Sequence, residues 1–109
     1  MSDAPDIRLD HINLPALKPD WLAEWYAEMF GFRARGGFVM GNGTLIVFEP
    51  GKPLDYGGNA HFGFRCSSRE KVTAWAKKFE ATLVEEANYA GFKAADPEGN
   101  LFEVYWEES

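Results

Sequence analysis

Two stretches of the chain repeat apolar residues at helical spacing. The first sets Leu22, Trp25, Tyr26, Met29 and Phe30 at i, i+3, i+4, i+7 and i+8, the stripe an amphipathic helix turns toward a core. Pro19 near its start and Gly31 just past its end punctuate it in the usual helical order. The second sets Val72, Trp75, Ala76 and Phe79 at i, i+3, i+4 and i+7, with Ser68 placed as its N-cap. The stripes share one phase fifty positions apart, Leu22 falling on Val72 and Trp25 on Trp75. A short alternating run precedes each helix and reads as a strand. These runs are Leu9-Asp10-His11-Ile12-Asn13-Leu14 and Asn59-Ala60-His61-Phe62-Gly63-Phe64, and the same offset carries His11 onto His61.

Three more short strands follow each helix, over 32–36, 37–40 and 44–49 and then over 83–87, 91–95 and 101–106. Gly41-Asn42-Gly43 predicts a tight hairpin. Asp96-Pro97-Glu98-Gly99 carries Asp at i, Pro at i+1 and Gly at i+3 of a type I turn. Residues 50–58, with two prolines and three glycines, read as a linker. The chain is thus expected to be one α+β domain over 1–109. It holds a βαβββ module at 8–49 and a second at 59–106.

Alternation within the strands sorts residues by face. Ile12, Leu14, Ile46, Phe48, Phe62, Phe64, Phe102 and Val104 should meet the helices. The opposite face collects His11, Asn13, Leu45, Val47, Glu49, Asn59, His61, Arg65, Leu101, Glu103 and Tyr105. Sheets curved around that polar mixture predict an incomplete, barrel-like cleft suited to a small molecule.

Composition narrows the function classes. The chain is 46% hydrophobic and 16% aromatic, as a globular core requires. A net charge of −6 argues against a nucleic-acid partner, which calls for clustered Lys and Arg. The single cysteine, Cys66, cannot close an internal disulfide and falls on the helix-facing parity. The acidic opening Met1-Ser2-Asp3-Ala4-Pro5-Asp6 lacks a signal-peptide pattern, and no apolar run is long enough to span a bilayer. A cytoplasmic protein with no membrane partner is the expectation. The spacing assigns Trp21, Trp25 and Trp75 to core or interface rather than to ligand stacking.

The chemistry centres on three residues. His11 and His61 are the only histidines and occupy matching places in the repeat. Aligning Gly43 with Gly99 sets Glu103 opposite Val47 on the same face. Packed about a pseudo-twofold axis, two histidines and one carboxylate hold a divalent metal on one side and leave positions open. Substrate oxygens or water can enter those positions.

The chain here resembles the glyoxalase, bleomycin-resistance and extradiol-dioxygenase (vicinal oxygen chelate) superfamily. The resemblance rests on the opening 9–14, on Trp25-Tyr26-Ala27-Glu28-Met29-Phe30-Gly31-Phe32, and on Asp96-Pro97-Glu98-Gly99-Asn100-Leu101-Phe102-Glu103. It implies that His11, His61 and Glu103 occupy the family's metal positions. It also implies a homodimer, in several members of which the site draws ligands from both chains. Glyoxalase I proteins usually add a fourth ligand in the fourth strand, where this chain has Val47. Glu49, two residues on, is the candidate catalytic base, or a ligand if the register differs. Asn13, Arg65 and Tyr105 are candidates for contacting substrate.

The expected function is a small metal-dependent glyoxalase-like or dioxygenase-like enzyme. It would bind its substrate through adjacent oxygens at a site of Fe, Mn, Zn, Ni or Co. The alternative is a metal-free protein of the bleomycin-resistance type that sequesters a small molecule.

Overall fold

A computed structural model describes residues 4–109; Met1, Ser2 and Asp3 of the acidic opening lie outside the described residues. Each half of the chain builds one four-stranded sheet with one helix. The first comprises β1 (Ile12–Ala16), α1 (Pro19–Phe30), β2 (Arg33–Arg35), β3 (Phe38–Gly41) and β4 (Thr44–Pro50). The second comprises β5 (Phe62–Arg65), α2 (Arg69–Phe79), β6 (Val84–Glu86), β7 (Tyr89–Ala95) and β8 (Leu101–Glu107). Strand orders are β1-β4-β3-β2 and β5-β8-β7-β6, so the βαβββ connectivity is used twice. In each sheet the first and last strands pair in parallel and the remaining ladders are antiparallel. The two compact units meet in sequence at Pro53 and Leu54, inside the expected linker.

The helices form where their punctuation predicts. Gly31, at φ 78, ends α1 in the left-handed conformation, and its N–H donates to the Ala27 carbonyl. The Ser68 side chain caps α2 by accepting from Lys71 N at 3.3 Å. In the first module, α1 buries Leu22, Ala23 and Tyr26, and the sheet buries Leu14, Ala16, Val39, Ile46 and Phe48. The Tyr26 and Phe48 rings lie 5.5 Å apart. In the second, Val72 and Ala76 of α2 are buried, as are Phe92, Phe102 and Val104 of the sheet. Phe79 joins them with its ring 5.7 Å from Phe102. Each fully buried large apolar side chain contributes about 1.5–3 kcal/mol, so these two small cores are what hold the modules.

Strand boundaries differ from expectation in an instructive way. The strands β1 and β5 start at Ile12 and Phe62, not at 9 and 59, because their ladders begin with Ile12↔Ile46 and Phe62↔Phe102. Both histidines therefore stand one residue ahead of a strand. The strand β7 begins at Tyr89, two residues early, because its pairing with β8 runs out to Tyr89↔Glu107. Trp21 is 52% exposed and lies outside the core. The first hairpin is the expected one: Asn42 and Gly43 take φ 49 and 82, as a type I′ turn requires, between paired Gly41 and Thr44.

The turn at Asp96 carries a buried polar network. Asp96 Oδ1 accepts from the N–H groups of Glu98 and Asn100, at 2.9 and 3.0 Å. Its Oδ2 accepts from Asn100 Nδ2 at 2.8 Å. The fully buried Asn100 in turn accepts from the Tyr56 hydroxyl at 2.8 Å. Burial and the Asp96 charge push the Tyr56 phenol above its ordinary range. The folded protein thus holds that proton to higher pH than the unfolded chain. Stability contributed below the ordinary tyrosine pKa is therefore lost as pH rises through the folded value. Asn100→Ala should lower the unfolding free energy by about 2–3 kcal/mol in urea titrations, because it strands buried polar partners. Tyr56→Phe should cost about 1 kcal/mol at neutral pH and flatten the alkaline loss of stability.

Candidate metal centre

Glu103 lies on the central strand β8, between Gly63 of β5 and Lys93 of β7. Its strand neighbours Phe102 and Val104 point into the core, so the pleat turns its carboxylate to the face away from α2. Oε2 accepts from the Tyr89 hydroxyl. Oε1 lies 3.5 Å from His61 Nε2, with the two side chains only 18% and 30% exposed. Burial, followed by the hydrogen bond to Glu103 and its charge, pushes the Tyr89 phenol well above its ordinary value. Tyr89 therefore keeps its proton and remains a donor to Glu103.

The tautomer of His61 follows from its partner. Nδ1 lies 2.8 Å from the Asn59 carbonyl oxygen. A carbonyl only accepts, so Nδ1 carries a hydrogen, and the lone pair of the neutral ring then lies at Nε2. That lone pair faces a carboxylate oxygen, an arrangement that calls for a proton or a metal cation between the two. Donors that each sit about 2.0–2.2 Å from one ion are roughly 2.8–3.6 Å apart at octahedral to tetrahedral angles. The His61–Glu103 separation falls within that range. The partners behind the pair, Asn59 for the imidazole and Tyr89 for the carboxylate, are of the kind that orient metal ligands. The donor set of this module therefore fits two ligands of a divalent ion. Within the module no third His, Cys, Asp or Glu joins them among the described residues.

Arg65 and Tyr105 come together on the same face. The guanidinium lies 5.5 Å over the Tyr105 ring and donates through Nη2 to the Glu107 carbonyl. The Tyr105 and Tyr89 rings stack at 6.4 Å and 24°. Both residues, expected to contact substrate, thus brace the tyrosine that holds Glu103. A cleft of about 310 Å³ opens beside His61, walled by Asn59, Lys93, Ala95 and Leu101.

The first module brings two other candidates together. Asn13 Nδ2 donates to Glu49 Oε1, tying the candidate base to β1. His11 Nδ1 lies 3.0 Å from Asp10 Oδ2 on a half-exposed imidazole, whose Nε2 faces outward from that contact. Val47 is buried, paired with Asn13 on one side and Phe38 on the other, so no carboxylate occupies its place.

Tyr89 lies outside the strand the sequence predicts, because β7 is expected to begin only at residue 91, and Gly91 and Lys93 fall inside that strand without being assigned a role. The signal was nevertheless present. Tyr89, Gly91 and Lys93 alternate with Ala90, Phe92 and Ala94, which is the two-faced pattern of a half-buried strand.

A family model, the Glyoxalase/Bleomycin resistance protein/Dioxygenase superfamily, matches residues 8–104. The chain belongs to that superfamily. Among solved structures it resembles a genomically encoded fosfomycin resistance protein, FosX, from Listeria monocytogenes, with a TM-score of 0.73 and 18% identity over 92% of this chain and 93% of that one. Lactoylglutathione lyase from Agrobacterium tumefaciens follows at 0.68 and 18%, covering 94% and 96%. A glyoxalase/bleomycin resistance protein/dioxygenase from Alicyclobacillus acidocaldarius gives 0.70 and 17%, covering 99% and 96%. At these identities the structures share the fold. No curated protein matches the chain.

Gly91 is the point on which the tyrosine brace depends. A Cβ there would run into the Tyr89 hydroxyl and lie 3.1 Å from Tyr105 Cβ. Gly91→Ala should therefore destabilise the fold by about 1–3 kcal/mol. The same change in a Tyr89→Ala background should cost much less. Urea unfolding of the four proteins in this cycle measures that coupling, and additive costs would show that the ring does not depend on the glycine.

Proposed function

We propose that this chain is a small metal-dependent enzyme of its superfamily. In this reading His61, Glu103 and His11 hold a divalent ion that binds substrate through two adjacent oxygens. The observation that carries it is the His61–Glu103 pair, 3.5 Å apart, with the far nitrogen of one and the far oxygen of the other already engaged. When bound, the ion supplies Lewis-acid stabilisation of negative charge developing on substrate oxygen. The protein's own groups do the rest. Tyr89 and Asn59 hold the ligands in orientation, and Glu49, held through one oxygen by Asn13, keeps its other oxygen to take or return a proton. Arg65 and Tyr105 keep the tyrosine brace in place and border the face that substrate approaches. Glyoxalase-like isomerisation or lyase chemistry and oxygenation both accord with such a site.

The donor set of imidazole and carboxylate suits Fe, Mn, Zn, Ni or Co. Each four-stranded sheet leaves two edges unpaired within its module, which supports assembly as a homodimer. No helix among the described residues is long and apolar enough to cross a membrane, in keeping with a proposed cytoplasmic location.

Dialysis against Mn(II), Fe(II), Ni(II) and Zn(II) in turn, followed by elemental analysis, tests the reading. Near-stoichiometric metal is expected in the parent, with loss in both His61→Ala and Glu103→Gln. In His11→Ala, affinity should fall by at least tenfold, as expected for removal of a ligand. A parent that retains no metal under any condition overturns the enzyme reading. It would favour the metal-free binder, to which the buried Val47 in place of a fourth ligand already conforms.

A further inference from the structure

Lys93 has no role in the site described so far, yet it stands directly beside Glu103. It is the direct cross-strand partner of Glu103 on β7, so its side chain leaves the sheet on the carboxylate's face. A Lys opposite a Glu in an antiparallel ladder ordinarily pairs with it. Here one oxygen of Glu103 is engaged by Tyr89 and the other faces His61. Lys93 makes no hydrogen bond or ion pair among the described residues. It borders the cleft of about 310 Å³ that also takes in His61, and the other walls include Ala60, Ala94, Ala95 and Leu101. It is the only cation among the residues of that cleft, in a chain whose net charge is −6.

We infer that the cleft selects a small carboxylate, with Lys93 pairing to its anionic group and the His61–Glu103 end receiving a neighbouring oxygen. The physical reason is complementarity between the two ends. An ammonium left unpaired beside small apolar walls gains a charge-assisted bond from an incoming anion. A neutral ligand of the same shape offers it only a weaker hydrogen bond. The cleft volume is at the lower limit for small-molecule sites, which favours a compact α-hydroxy or α-keto acid over an extended conjugate. The charge also sets the direction of discrimination: a cationic ligand is repelled at Lys93, and a neutral vicinal diol loses one of its two anchors. This substrate class rests on the metal reading above, but the role of Lys93 as anion receptor can be tested with and without metal.

Glycolate, neutral hydroxyacetone and inorganic phosphate would be titrated into the full chain, the parent beside Lys93→Gln and Lys93→Arg. Calorimetry would follow the metal-loaded protein, and amide NMR shifts of Ala60, Ala94 and Leu101 the metal-free protein. Glycolate should bind the parent and weaken roughly tenfold in Lys93→Gln, the loss expected for one charge-assisted bond. Lys93→Arg should recover most of that loss. Hydroxyacetone should bind more weakly than glycolate and depend on residue 93 much less. Equal glycolate affinity in parent and Lys93→Gln overturns the inference while leaving the metal reading intact. Phosphate binding more tightly than glycolate overturns the carboxylate assignment in favour of phosphoryl ligands. If the parent takes up no metal, the metal reading fails by itself. The NMR arm then decides: Lys93-dependent glycolate shifts uphold the anion site, and their absence overturns it.

Discussion

The two-residue alternation of the central strand β8 is the constraint from which the second module follows. Phe102 and Val104 point one way and are buried, while Glu103 points the other way and meets His61. Pairing on both sides, with β5 and β7, leaves this strand no freedom to slip. A slip of one residue would bury the carboxylate and expose the core. The hydrophobic core thus also fixes the direction of the carboxylate. Stability and site geometry are coupled through one strand, and the Asp96–Asn100 network anchors the turn at which that strand begins.

The carboxylate is then held by a chain of contacts with no ligand in it. Arg65, anchored to the Glu107 carbonyl, covers Tyr105, Tyr105 stacks on Tyr89, and Tyr89 donates to Glu103. The whole device lies on one sheet face, and Gly91 leaves the space through which Tyr89 crosses. A partly buried carboxylate without such a donor would cost stability. With one it is held in a single orientation, as a metal ligand must be. The first module uses the same economy differently, tying Glu49 to Asn13 across the parallel β1–β4 ladder.

Legibility in the sequence varied with the range of the interaction. The helix stripes at Leu22–Phe30 and Val72–Phe79, their Gly31 and Ser68 caps and the Asn42-Gly43 turn are local features, and all formed where their residues indicate. The faces of β4 and β8 were readable for the same reason, since burial of Ile46, Phe48, Phe102 and Val104 follows their spacing. Where β1, β5 and β7 begin was not readable, because a strand ends where its neighbour does and the neighbour lies far along the chain. Tyr89 escaped notice on that account. Alternation put Arg65 and Tyr105 on one sheet face, but their contact with each other belongs to cross-strand geometry.

What the sequence alone determined was the doubled βαβββ plan, the two helices, the sorting of residues onto two faces and the presence of His61 and Glu103 on the polar one. Periodicity and turn chemistry act over a few residues, and the fifty-residue repeat carries them twice. What only the tertiary structure decided was which polar groups meet. Strand register set Glu103 against His61 and Tyr89, gave Asn13 to Glu49, and left Lys93 without a partner at the edge of a cleft. Hydrogen bonds and charge contacts depend on ångström-scale distances between residues remote in sequence, and only the paired sheet sets those distances.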